Sequence, residues 1–122
     1  YSSKVPAGFP SPADDHMEGK LDLNTHLIKH PTATFFVKAS GESMLGAGIH
    51  DGDILVVDRS LEPRKGRVVI AAVDGQLTVK RLQKKGSKTF LVPENKKFRS
   101  RELSENNDVM IWGVVTNVIH KV

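Results

Sequence analysis

The sequence contains no cysteine. That excludes disulfides, a thiol nucleophile and thiolate-held zinc, and it suits a reducing compartment. Aromatic residues are scarce at 6%, with a single tryptophan and a single tyrosine. None interrupts the basic stretch "KRLQKKGSK" at residues 80–88, so that stretch lacks the stacking platforms used to bind single strands. No apolar run approaches the roughly 18–20 residues of a membrane-spanning helix. No secretory leader pattern is visible. A cytoplasmic protein with no membrane attachment is the expectation. No repeat at a fixed period and no low-complexity run is found.

What is present describes an ordinary globular chain. Its 122 residues suit one domain with a real core, and 39% of them are apolar. The net charge is +4 and unevenly spread: residues 81–122 carry nine basic and four acidic groups, and the rest nearly balance. Such an excess serves nucleic acid or an acidic partner. The plainer reading is a solvated basic face, so direct DNA contact is left open.

Residues 1–20, "YSSKVPAGFPSPADDHMEGK", hold three prolines and no apolar periodicity. They read as a flexible N-terminal arm, with the folded domain spanning 21–122. A short helical turn is expected around Thr25–Lys29, capped by Asn24 and stopped by Pro31. From Thr34 onward the texture is β. "TFFVKAS", "DILVVD", "RVVIAAV", "QLTVKRL", "KTFLVP" and "DVMIWGVVTNVI" are strand candidates. Asp74-Gly75 between two of them is a strong hairpin signal. Apolar residues on both faces predict a sheet covered on both sides, or a compact β-roll.

The stretch "SGESMLGAGIHDGD" sets Ser43 among Gly41, Gly46, Gly48 and Gly52. Glycines let another chain approach closely. A serine that opens a turn after a strand can present its hydroxyl beside free backbone N–H groups, which could hold an oxyanion. Such a serine needs a base; without one it is a turn or N-cap serine. His16, His26, His30, His50 and His120 occupy no recognisable triad or metal-ligand context and read as surface residues. The other candidate is Lys80. Period 2 places Thr78, Lys80 and Leu82 on one strand face, with Leu77, Val79 and Arg81 on the other. A buried lysine loses its charge more readily and becomes available as a base. A lysine that merely guards an edge strand shows the same alternation.

The segments "AGFPSPADD", "LDLN", "HPTATFFVKASGESM", "HDGDILVVDRS" and "GRVVIAAVDGQLTVKRL" together resemble the UmuD family, SOS-mutagenesis relatives of the LexA repressor within peptidase family S24. The resemblance runs from about Val5 to Val118, and the 37-residue spacing from Ser43 to Lys80 matches the family's Ser-Lys dyad. It implies a mainly β, clip-like LexA/UmuD fold with a flexible N-terminal arm. It implies Ser43 as nucleophile, Lys80 as general base and Ala7-Gly8 as the self-cleavage site. The family's UmuD members usually have cysteine before that glycine; LexA has alanine. Backbone N–H groups of Glu42 and Ser43 would be the oxyanion donors. No cofactor or metal is implied. The implied partners are a second copy of the chain, the RecA filament on single-stranded DNA that stimulates cleavage, and a UmuC-type subunit that completes translesion polymerase V. Repressors of the family carry a helix-turn-helix domain before the cut, so a short stretch before Ala7 would favour the UmuD-like reading as the expectation. The alternatives are the self-cleaving half of such a repressor and an interaction subunit that no longer cleaves.

Overall fold

The computed structural model describes residues 7–8 and 20–122. The expected arm, residues 1–20, falls almost wholly outside the described residues. The first regular element is helix α1, Leu23–Leu27. Its cap is Asp22, whose carboxylate accepts from the N–H groups of Asn24 (3.0 Å) and Thr25 (3.5 Å). The expectation of Asn24 as cap is therefore off by two residues. A carboxylate outcompetes the Asn24 amide because it takes two orphan N–H donors at once at the positive end of the turn. A 3-10 turn at Pro31–Ala33 then leads into the sheet.

Seven strands follow: β1 Thr34–Lys38, β2 Ile54–Asp58, β3 Val68–Val73, β4 Gln76–Lys85, β5 Lys88–Val92, β6 Arg101–Leu103 and β7 Val109–Ile119. All pair antiparallel in one sheet, in the order β1-β2-β7-β3-β4-β5-β6. The β3–β4 hairpin closes at Val73–Gln76 through Asp74 and Gly75, both at positive φ (49° and 84°). Two expectations need adjustment. β4 extends to Lys85, because β5 pairs back along it through Lys85–Lys88. β6 was not anticipated; "REL" is too short to show alternation, and it exists only as a partner for β5.

β3 shows why the sheet carries apolar residues on both faces. Val69, Ala71 and Val73 point into one core cluster with Leu82, Leu91 and Val114. Ile70, between them, points into the other with Ala39, Met44, Ile49, Leu55 and Val57. Burying each such valine or leucine contributes about 1.5–3 kcal/mol. The second cluster holds the long β1–β2 connection down, because Ala39, Met44 and Ile49 all belong to that connection. β7, an interior strand between β2 and β3, carries register shifts opposite Val56/Val57 and Ile70/Ala71, which leave Thr116 and Trp112 as extra residues. Bulges of this kind sharpen the twist and curl the sheet.

One gap in the pairing positions the site. β5 pairs only with Arg81–Lys85 of β4. The first half of β4, Gln76–Lys80, has β3 on one side and no strand on the other among the described residues. Among the described residues no helix is long and apolar enough to cross a membrane.

Candidate active site

Ser43 lies on the β1–β2 connection, which is pinned at its base. The Ala39 N–H donates to Asp53 O and the Gly52 N–H to Ala39 O, both at 2.8 Å. Gly41 turns the chain with φ 86°, a left-handed conformation that side chains resist, and its N–H donates to Asp51 Oδ1 at 2.7 Å. Met44, 1% exposed, anchors the turn in the core immediately after Ser43. From the other side Glu94 and Asn95 grip the same turn. The Glu94 N–H donates to Ser43 O (2.8 Å), the Gly46 N–H donates to Glu94 O (2.7 Å), and Asn95 Nδ2 donates to Glu42 O (2.8 Å). A Cβ on Gly46 would lie 2.7 Å from Glu94 O, so the approach requires glycine.

Lys80 approaches from the unpaired half of β4. Its Nζ is 2.9 Å from Ser43 Oγ, 2.7 Å from Thr78 Oγ1 and 3.1 Å from Val79 O. A charged ammonium fills all three contacts as donor. A neutral amine keeps two N–H groups for Thr78 and Val79 O, and its lone pair then faces the serine hydroxyl. Burial holds the Lys80 pKa below the usual lysine range, because the half-buried ammonium has lost part of its hydration. The neighbouring Arg81 ties the two halves together. Its Nε donates to Glu94 Oε1 at 2.5 Å and its Nη1 to Gly66 O at 2.6 Å. The strand bearing Lys80 is thus clamped to the residue that grips the Ser43 turn.

Ser43 and Lys80 face a cleft of about 290 Å³ walled by Val37, Ala39, Leu55, Ile70, Leu77 and Val79. The walls suit a short, apolar, extended peptide. No described histidine lines the cleft. Among the described residues, the N–H groups of Glu42 and Ser43 donate to no protein acceptor, which leaves them available to a bound oxyanion. Ala7 and Gly8 are both exposed, and among the described residues nothing lies within 4 Å of a Cβ placed on Gly8. The structure brings Ser43 and Lys80 together, and neither Ala7 nor Gly8 is among the residues that line the cleft.

The comparisons with known proteins bear on the same residues. The family model described as Peptidase S24-like matches residues 1–116. The chain belongs to the S24 peptidase family, on its UmuD-like branch. It is 49% identical to protein ImpA of Salmonella typhimurium over 121 residues, 99% of this chain and 82% of that protein. It is 48% identical to protein SamA of Salmonella typhimurium strain LT2, again over 99% of this chain and 84% of the relative. With protein MucA of Escherichia coli it shares 44% over 118 residues, 96% of this chain and 80% of the relative. Membership makes it a self-cleaving serine peptidase in type and a UmuD-like SOS-mutagenesis protein in function.

Sequence reasoning missed several residues that the fold gathers. Glu94, Asn95 and Arg81 brace the site, and no spacing along the chain announces them. The described histidines are exposed, as expected, but three of them have partners that the sequence did not announce. His30 Nδ1 lies 2.6 Å from Asp58 Oδ2. His120 Nδ1 lies 2.6 Å from Asp53 Oδ1, and His50 stacks on His120 with ring centroids 4.4 Å apart. Asp53 and His120 are 67 residues apart, which is why reading ligand spacing along the sequence could not find them. The faint signal was a histidine within "HDGD" and another at the end of the last strand.

Proposed function

We propose that this S24 peptidase cuts its own chain between Ala7 and Gly8, with Ser43 as nucleophile and Lys80 as general base. The observation that carries the reading is the 2.9 Å contact between Lys80 Nζ and Ser43 Oγ at the edge of an apolar cleft. In this mechanism neutral Lys80 takes the hydroxyl proton as Ser43 Oγ attacks the Ala7 carbonyl carbon. The N–H groups of Glu42 and Ser43 receive the oxyanion. Lys80 returns the proton to the Gly8 nitrogen as the peptide bond breaks, which leaves an Ala7 ester on Ser43. Water, deprotonated by Lys80, then hydrolyses that ester.

The arm must enter the cleft for this to occur. The unpaired edge of Gln76–Lys80 offers backbone groups to an extended segment, as strand addition requires, and the small Ala7 side chain suits the space beside Ser43. A docked arm would dry the site further and favour the neutral lysine. Cleavage is therefore tied to docking, the step at which a RecA filament on single-stranded DNA would act. The trimmed chain, as a homodimer in the cytoplasm, would join a UmuC-type subunit to form the translesion polymerase of the SOS response. Exposed apolar residues on β1 and β7, including Phe36, Met110 and Trp112, supply surface for such contacts.

The test is incubation of the purified chain at pH 10, wild type beside Ser43→Ala, with intact masses followed over hours. Loss of Tyr1–Ala7 from the wild type alone is expected. If both samples stay whole and folded, the protease assignment fails and the chain acts as an interaction subunit. If Ser43→Ala is cut as fast as wild type, Ser43 is not the nucleophile.

A further inference from the structure

We propose that His50, Asp53 and His120 bind one divalent transition-metal ion of the zinc type, apart from the cleft. The fold creates this cluster. Ile54 and Ile119 are paired at the ends of β2 and β7, so Asp53, just before β2, and His120, just after β7, stand side by side. The turn from His50 to Asp53 then folds back on itself. The His50 N–H donates to Asp53 Oδ2 at 2.7 Å, and the Asp53 N–H donates to His50 O at 3.0 Å. The His50 ring comes to rest on His120, 29° from parallel. One ligand atom from each of the three side chains lies within 4.8 Å of the other two.

The donor set fits the ion. Two imidazoles and a carboxylate are ligands that zinc takes with bonds of about 2.0–2.2 Å, with water completing the tetrahedron. Calcium and magnesium need more oxygens than this cluster holds. The Asp53 side chain is 4% exposed and its orientation is fixed by the turn, while the His50 and His120 side chains are 49% and 42% exposed. The ion therefore has a rigid buried ligand, two ligands free to adjust, and an open path from solvent. His120 Nδ1 already sits 2.6 Å from Asp53 Oδ1, and His50 Nδ1 lies 3.6 Å from Asp53 Oδ2. Small rotations of the two exposed rings bring three donors around one centre. A bound ion would cross-link the end of β7 to the turn whose Gly52 and Asp53 pin Ala39, four residues before Ser43.

The experiment uses the full chain as Ser43→Ala, so that it stays whole, stripped with EDTA and titrated with zinc sulfate. Calorimetry should give one zinc per chain, and Tm should rise by about 5–10 °C at a hundredfold excess over Kd. His50→Ala and His120→Ala should each weaken binding at least about tenfold, while His30→Ala should bind as before. His120→Gln keeps a donor toward Asp53 and should stay folded yet lose zinc. Absence of heat and of any Tm shift would overturn the proposal. So would zinc binding that survives undiminished in both His50→Ala and His120→Ala. Because the titrated protein already lacks the nucleophile, neither outcome depends on the peptidase reading.

Discussion

Lys80 shows how one residue trades stability for chemistry. Its pKa is lowered in the fold from the ordinary 10.5 by burial, so the folded state binds fewer protons than the unfolded state across that interval. Stability therefore rises with pH there, and the penalty is full below the folded-state pKa. Lys80→Met, which keeps the apolar stem, should be at least as stable as wild type at pH 7. Its advantage should shrink as the pH climbs towards 10.5, measured by urea unfolding of both at several pH values. In the proposed mechanism the same titration governs the chemistry. Unstimulated self-cleavage should accelerate from pH 7 towards pH 10 as the amine sheds its proton. A flat or falling profile would remove Lys80 from the role of base. Lys80→Ala should slow cleavage by about 10²–10⁴-fold, the usual worth of a general base, and remain folded. Thr78 was within reach of sequence reasoning, since period 2 puts it on the Lys80 face. Its hydrogen bond to Nζ was not, because rotamers are chosen by packing.

Among the elements, the site depends on two segments that never touch in sequence. The Ser43 turn is held by the Glu94-Asn95 segment, and Arg81 holds Glu94 from the strand that carries Lys80. Gly46 is where the two segments come closest. Gly46→Ala puts a methyl carbon against the Glu94 carbonyl, 2.7 Å away. The expected cost is about 1–3 kcal/mol, read as a lower urea midpoint, together with slower self-cleavage as the turn shifts away from Lys80. Wild-type stability with normal cleavage would mean that the turn yields without moving Ser43. The glycines around Ser43 were legible as a sign of close approach. What approaches is Glu94, and nothing in "LVPENKK" marks it. Strand existence was legible from apolar runs and from Asp74-Gly75. β6 was not, because three residues carry no period, and the α1 cap was misplaced because Asp22 and Asn24, two residues apart, can both cap a turn.

At the scale of the whole molecule, several large apolar side chains are exposed on β1 and β7. Met110 is 64% exposed, Phe36 55%, Ile119 45% and Trp112 39%. All lie on β1 or β7, and Trp112 packs edge-on against Phe35 at 6.5 Å. Patches of this kind mark contact surfaces. If the proposed homodimer meets through this surface, Met110→Asp should turn it into a folded monomer in sedimentation velocity. A dimer that survives the substitution would move the interface away from β7. The "DVMIWGVVTNVI" run was legible as a strand with apolar residues to spare. Its place inside the sheet, between β2 and β3, was not, since order within a sheet depends on pairings between residues far apart in the chain.

The sequence by itself determined the family, the β character, the hairpin at Asp74-Gly75 and the pair Ser43 and Lys80, because each of these is written in local pattern or in motifs of fixed spacing. Only the tertiary structure decided that Lys80 is half buried, that Glu94 and Arg81 brace the site, and that His120 meets His50 and Asp53. Burial and pairing are sums over residues brought together by the fold, and distance along the chain does not encode them.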